Sequence, residues 1–272
     1  MVLDEAGALS IRGEPSANTN PIFLVGCHRS GTSLLRMLFD THPRISAGGE
    51  DISIYWFSQM NTDAWRAALS SYGFTEVEWL DTIRGVIEEL HGRYAAGQGK
   101  TRWAQKCPEN SLVLDYLDKL YPACQVIHIV RNPRDVIASN IKKYGRTYGP
   151  RYGKRWVNHV QMAETVGARL GPDRFRTIRY EDLVFDTEGV LKDLFAWVGE
   201  EWSPEVLRFG ERTHGFPIRL KTDDDKKFVI HTESVGRGRE SGPELVAPML
   251  YVKARGGALA KKFGYDLSLG KH

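Results

Sequence analysis

The chain has 272 residues, 42% of them hydrophobic and 26% charged. That is a globular composition, and it excludes collagen-like, disulfide-scaffold and intrinsically disordered classes. The 37 basic and 34 acidic residues leave a net charge of +3, too even for a nucleic-acid surface, which needs clustered basic charge, although a local anion site remains open.

At a typical ~150 residues per domain, the length allows one large domain or two small ones. Residues 1–20 carry Asp4 and Glu5 early and lack the continuous apolar core of a signal peptide. They read as a polar, partly mobile arm, with 21–272 as one domain. No apolar stretch approaches the ~18 residues of a membrane helix, so no membrane partner is expected. Cys27, Cys107 and Cys124 form an odd set without a CxxC pair. Neither a disulfide framework nor a zinc site follows, and the reading is reduced thiols in a cytoplasmic protein.

The first strong element is Ile22-Phe23-Leu24-Val25, a short apolar run that predicts a buried parallel strand ending at Gly26. The turn CHRSG leads into TSLLRMLFDTHP, where Leu34, Leu35 and Leu38 keep helical spacing and Pro43 marks a helix already ended. A second buried run, Val126 to Val130, meets RNPRD and another helical pattern. In 151–170, Tyr152, Trp156, Val160, Ala163, Gly167 and Leu170 form one helical stripe. A third strand, Arg174 to Arg179, meets YEDL, and an amphipathic helix follows from Thr187 to Val198. The stretch 212–248 is polar and rich in Gly and Arg; a long irregular segment of this kind reads as a functional lid or a mobile loop. Buried strands alternating with amphipathic helices predict an α/β fold, a P-loop-type three-layer sandwich around a mostly parallel sheet.

Gly26 to Ser33 follows a strand and opens a helix, with two glycines at the G-x-x-x-x-G spacing of a phosphate loop. Glycines let the backbone curl until consecutive N–H groups point inward, and the helix N-terminus adds partial positive charge. Ser30, Thr32 and Ser33 add hydroxyls, and Thr32 stands where a nucleotide kinase or NTPase has its lysine. The cation here is Arg29. After the second strand, Arg131 and Ser139 can converge on a second anion if a helix starts near Pro133, although RNPRD alone also suits a solvated loop.

PIFLVGCHRSGTSLLRMLFDTHP, VIHIVRNPRDVIASN and RYEDL, in that order, resemble the sulfotransferase family that uses 3′-phosphoadenosine 5′-phosphosulfate (PAPS). RSGT and the following GGED resemble its tyrosylprotein-type and related bacterial branch. The resemblance implies in-line transfer of a sulfuryl group from PAPS to a hydroxyl, giving 3′-phosphoadenosine 5′-phosphate (PAP) and a sulfate ester, without a metal. It implies that Arg29, Ser30, Gly31, Thr32 and Ser33 hold the 5′-phosphosulfate, and that Arg131 and Ser139 hold the 3′-phosphate. Tyr180 resembles the residue near the adenine. SVGRGRE resembles a loop closing on the nucleotide, with Arg237 and Arg239 as its cations and Ser234 toward the sulfate; Gly238 stands where the family often has Trp. The implied base is Glu50, with Asp51 as the alternative and helix capping as its structural reading. Lys106, in WAQKCPEN, resembles the lysine that bridges the leaving oxygen and the sulfonate, or else is an ordinary surface lysine. Ile54-Tyr55-Trp56-Phe57 suits either an acceptor pocket or helix core, and Trp65, Trp79 and Tyr94 lie in a stretch of weak periodicity. The acceptor is a small-molecule or glycan hydroxyl or a peptide tyrosine, with a homodimer allowed. A P-loop kinase or NTPase and a non-catalytic nucleotide-binding module remain the alternatives.

Overall fold

The computed structural model describes residues 2–3, 9–10, 20–146, 149–211, 230, 232–240 and 242–268. Within the arm, β1 (Val2–Leu3) pairs antiparallel with β2 (Leu9–Ser10), and most of its remaining residues lie outside the described ones. The main chain then runs β3 (Ile22–Gly26), α1 (Thr32–Thr41), β4 (Ile45–Ser46), α2 (Ser53–Met60), α3 (Asp63–Ser71), α4 (Glu76–Gly97) and β5 (Arg102–Lys106). A 3-10 turn, Pro108–Leu112, leads into α5 (Leu114–Leu120), β6 (Gln125–Val130), α6 (Pro133–Tyr144), α7 (Gly149–Leu170) and β7 (Phe175–Arg179). The last helices are α8 (Tyr180–Phe185), α9 (Thr187–Val198) and α10 (Val246–Lys262).

Five strands form one sheet in the order β4-β5-β3-β6-β7, every neighbouring pair parallel. The fold class expected from the sequence is therefore right, and the sheet is more uniform than expected. The central strand explains the layering. Ile22 and Leu24 face one side, where Leu38 and Phe39 of α1 and Leu191 and Phe195 of α9 cover them. Phe23 and Val25 face the other, under Ile83 and Ile87 of α4, Leu117 of α5 and Ala163 of α7. All of these residues are buried, so β3 reads as a continuous apolar run with no polar face.

Two elements were illegible to hydrophobic pattern alone. β5 is Arg-Trp-Ala-Gln-Lys, yet its last four residues are buried. Its polar ends survive burial because they are paired: Arg102 donates to the Val198 carbonyl and to Gln125, and Gln105 donates to Asp51 at 2.8 Å. The 22-residue α4 carries a capping box, Thr75 with Glu78, and buries Ile83, Ile87, His91 and Ala95 at a spacing of four. His91 stacks on Trp103 at 4.6 Å, so a polar ring completes an apolar seam. The expected irregular segment 212–248 divides: 212–229 lies outside the described residues, while 232–240 forms 3-10 turns and α10 begins at Val246.

Candidate active site

The loop after β3 has the shape its glycines announce. Gly31 takes φ +100°, and a Cβ there would lie 2.3 Å from the Tyr180 ring, so only glycine fits between loop and ring. Arg29 is the one non-glycine residue of positive φ among the described residues, at 71°. Its Nε donates to Ser139 Oγ at 2.9 Å, tying the loop to α6. The amide of Ser30 donates to the Cys27 carbonyl at 3.1 Å, and Leu35 donates to Gly31 at 3.0 Å. Ser30 Oγ is buried and meets no hydrogen-bond partner among the described residues.

One face of this loop meets β6 and β7. Arg131, just past the end of β6, donates through Nη1 to the Arg29 carbonyl at 3.1 Å and through Nη2 to the Ser234 carbonyl, while its Nε is buried without a partner among the described residues. Its guanidinium lies 4.4 Å from the centre of the Tyr180 ring. The Tyr180 hydroxyl hydrogen-bonds Ser234 Oγ at 2.6 Å. Asp135 accepts from the amides of Gly236 at 2.8 Å and Gly238 at 2.7 Å, which docks the 232–240 segment on α6. Gly238 is buried, and a Cβ on it would come within 2.8 Å of the Arg134 backbone. No side chain, large or small, fits there. The departure from Trp is built into this packing.

A cleft of about 1100 Å³ opens between these elements, lined among others by Arg29, Arg131, Ser139, Tyr180, Ser234 and Arg237. Six of the residues singled out by sequence are thus brought together. Arg237 is exposed and donates to the Glu233 carbonyl at 2.9 Å. The Arg239 side chain lies outside the described residues.

Glu50 and Lys106 do not line that cleft. They meet at the end of β5, where the Lys106 ammonium, 3% exposed, pairs with the Glu50 carboxylate, 39% exposed. The segment carrying Glu50 is anchored by α1: Arg36 donates to the Ala47 and Gly48 carbonyls, and Asp40 accepts from the Ala47 amide at 2.9 Å. Asp51 differs from its neighbour. Burial works against its ionisation, but donors from His91, Ser53 and Gln105 outweigh it and hold the carboxyl well below the usual carboxylate range. Part of the aromatic run after it is helix core. Ile54 is buried in the core and Phe57 packs against it, whereas Trp56 is 59% exposed.

Sequence reading missed one pair on the same edge. His28 Nε2 lies 2.5 Å from Glu109 Oε1, joining the loop to the 3-10 turn after β5. His28 lies inside the loop motif, and its partner, 81 positions away, carries no local signal in the sequence.

The sulfotransferase family model matches residues 21–204, from the first residue before β3 to the end of the sheet-and-helix core. The chain belongs to the sulfotransferase family. A protein-tyrosine sulfotransferase of Drosophila melanogaster is 23% identical over 85% of this chain and 50% of its own length. A putative protein-tyrosine sulfotransferase of Caenorhabditis briggsae is 26% identical over 70% of this chain and 69% of its own. An uncharacterized Aquifex aeolicus protein is 27% identical over 84% of this chain. The chain spans from 31% to 69% of the length of these relatives. Among solved structures, the sulfotransferase domain of the Synechococcus PCC 7002 olefin synthase aligns at TM-score 0.64 with 21% identity, over 92% of this chain and 97% of that one. Mouse sulfotransferase SULT7A1, solved in complex with PAP, aligns at TM-score 0.50 with 17% identity, over 91% of this chain and 90% of that one. Both share the family's fold. The free cysteines are all buried, and burial raises each thiol. Among the described residues no helix is long and apolar enough to cross a membrane.

Proposed function

We propose that this chain transfers a sulfuryl group from PAPS to a hydroxyl acceptor, releasing PAP and a sulfate ester, with residues 21–272 acting as one domain. The observation that carries the reading is a pair of unsatisfied donors, one within the loop and one beside it. Among the described residues Ser30 Oγ and Arg131 Nε are buried without partners. Orphaned buried polar groups are costly, and a loop hydroxyl beside Arg29 together with Arg131, which lines the cleft, suits two anionic groups of one ligand. Bound there, PAPS supplies the sulfuryl group and a phosphate as leaving group.

The chain's own residues divide the remaining work. Arg29, the Ser30 hydroxyl, the amides of 31–33 and the N-terminus of α1 hold the 5′ end; Arg131 and Ser139 hold the 3′-phosphate, with Tyr180, Ser234 and Arg237 walling the cleft. Lys106, buried at the end of β5, steadies negative charge at the leaving oxygen. Glu50, open to solvent on the same edge, takes the acceptor's proton, whereas Asp51 is committed to four donors and serves structure. The relatives named as protein-tyrosine sulfotransferases favour a phenol as acceptor, a tyrosine side chain or a small molecule of the same chemistry.

Thermal unfolding with PAP and with Mg-ATP tests the reading. A ligand binding only the folded state stabilises by roughly 2.7 kcal/mol at a hundredfold excess over Kd. PAP should raise Tm in the presence of EDTA, and Mg-ATP should not. A shift with Mg-ATP alone would assign the loop to nucleotide phosphoryl chemistry.

A further inference from the structure

We propose that the outward face of α2, led by Trp56, receives the body of the acceptor, and that the acceptor is an uncharged aromatic hydroxyl rather than a tyrosine set among acidic residues. The inference rests on the sulfuryl-transfer reading and names the acceptor class for it. α2 is apolar on two sides. Ile54 is buried and Phe57 packs against the same core, as a surface helix requires. On the other side Ile52, Trp56 and Met60 recur every four residues and stay 36%, 59% and 39% exposed. Trp56 stands one turn above Ile52, its amide donating to the Ile52 carbonyl at 3.2 Å, and the Tyr55 ring meets the Trp56 ring edge-on at 5.7 Å. Single exposed apolar residues are ordinary, but a contiguous row of them on one helix face marks a binding surface.

The position of this face fixes what it can serve. Ile52 follows Glu50 by two residues, at most ~7 Å between Cα atoms, and Trp56 lies about 6 Å further along the helix axis. Side chains on a helix lean toward its N-terminus, which here is the Glu50 end. Asp51 holds the angle between the two. Its carboxylate accepts from the Ser53 amide at 2.9 Å and the Ser53 hydroxyl at 2.8 Å at the start of α2, and from Gln105 of β5 at 2.8 Å. The helix is thereby fixed to the strand that carries Lys106, the partner of Glu50. A hydroxyl placed at Glu50 leads its ring system onto Ile52 and Trp56, so continuity with the reacting edge selects the acceptor as the occupant.

Charge selects its chemistry. Residues 50–98, which span α2, α3 and α4, hold eight carboxylates and three arginines. Each arginine is already paired within its own helix: Arg66 with Asp63, Arg84 with Asp81 and Arg93 with Glu89. The cations beside the segment are committed too. Lys106 is buried against Glu50, and Arg36 is buried and donates to the Ala47 and Gly48 carbonyls. An acidic peptide would meet an excess of negative charge along this segment, and like charges brought together at a rim discriminate against such a partner. A neutral aromatic body loses nothing to that field and gains contact with the exposed indole.

Trp56→Ala and Trp56→Phe, made in the full chain, test the assignment. The acceptors are 2-naphthol, phenol, and tyrosine peptides flanked either by Glu or by Gln. Calorimetry with PAP bound should show 2-naphthol at least tenfold weaker in Trp56→Ala and near parental in Trp56→Phe, with PAP affinity within threefold throughout. With PAPS as donor, Trp56→Ala should raise KM for 2-naphthol tenfold or more while kcat stays within threefold. Phenol, whose single ring ends short of the indole, should lose less than threefold. The parent should use the Gln-flanked peptide at least tenfold better in kcat/KM than the Glu-flanked one. Trp56 is more than half exposed, so its removal opens no core and Tm should hold. Parental affinity for 2-naphthol in Trp56→Ala, equal or better use of the Glu-flanked peptide, or a dimer that Trp56→Ala dissociates in sedimentation would overturn the proposal. Binding of PAP and 2-naphthol without transfer to any of these acceptors would instead overturn the sulfuryl-transfer reading itself.

Discussion

The two edges of the loop after β3 are built differently. On the β6–β7 edge two neutral hydroxyl contacts, Arg29 to Ser139 and Tyr180 to Ser234, accompany connections through backbone: Arg131 donates to the carbonyls of Arg29 and Ser234, and Asp135 accepts from the amides of Gly236 and Gly238. On the β5 edge the connections run between side chains, Lys106 with Glu50 and His28 with Glu109. Backbone contacts fix shape and are indifferent to protonation. Pairs of ionisable side chains exchange protons and partners. The first edge is suited to holding a phosphate in one place, the second to chemistry in which a proton moves, and the proposed division of labour follows that contrast.

Breaking the reacting edge should have the largest effect. Lys106→Ala removes the buried cation, and loss of one preorganised donor to a developing anion costs about 10²–10³-fold in kcat. PAP should bind nearly as before, by calorimetry, because Lys106 is absent from the cleft lining. A large loss of PAP affinity would erase the distinction between the edges. Glu50→Gln comes next, with kcat down roughly 10²-fold, the ordinary worth of general base catalysis. The loss should be steeper for an aliphatic alcohol than for an acidic phenol, which sheds its proton with less help. Parental turnover by Glu50→Gln would remove Glu50 from the chemistry.

The binding edge should fail in the opposite pattern. Arg131→Ala removes a charge-assisted contact worth roughly 1.5–3 kcal/mol, about ten- to a hundredfold in Kd for PAP. Adenosine 5′-phosphosulfate, which lacks the 3′-phosphate, should lose far less. Equal losses would mean that Arg131 matters through the Arg29 and Ser234 carbonyls it holds rather than through the ligand.

The binding edge was also the more legible one in the sequence. Its strand β6 is a plain apolar run, and its residues follow within nine positions, so Arg131 and Ser139 fall together once α6 begins at Pro133. The reacting edge hides for physical reasons. β5 reads as a polar loop because its buried ends are satisfied by partners far along the chain, Arg102 by Val198 and Lys106 by Glu50. Periodicity registers burial of apolar side chains, not burial of paired charges. Lys106 and Glu50 were found by resemblance alone, and Glu109, which no motif singled out, was not found. Gly238 teaches the same lesson in reverse, since its meaning lies in the Arg134 backbone pressed against it.

The smallest expected effect sharpens the comparison inside the reacting edge itself, between two adjacent carboxylates. Glu50 is half-open and meets one lysine; Asp51 accepts from Ser53, Gln105 and His91. Donors to the charged form depress the carboxyl of Asp51 in the folded protein despite its burial. The sign follows from linkage: a depressed group contributes stability that is full above its unfolded value, ~3.9, and is lost as pH falls below it. Asp51→Asn should therefore lower Tm at pH 7 by a few degrees, at roughly 2–4 °C per kcal/mol for domains near this size. The gap between variant and parent should close as pH falls below about 4, while kcat at pH 7 stays within about twofold because the proton-accepting groups are untouched. Differential scanning calorimetry from pH 7 to 3, run beside a kinetic assay, reads both. A dead Asp51→Asn of parental stability would move the base by one residue. An unstable but active variant would leave Asp51 as the anchor that holds Gln105, His91 and α2 around a reacting neighbour.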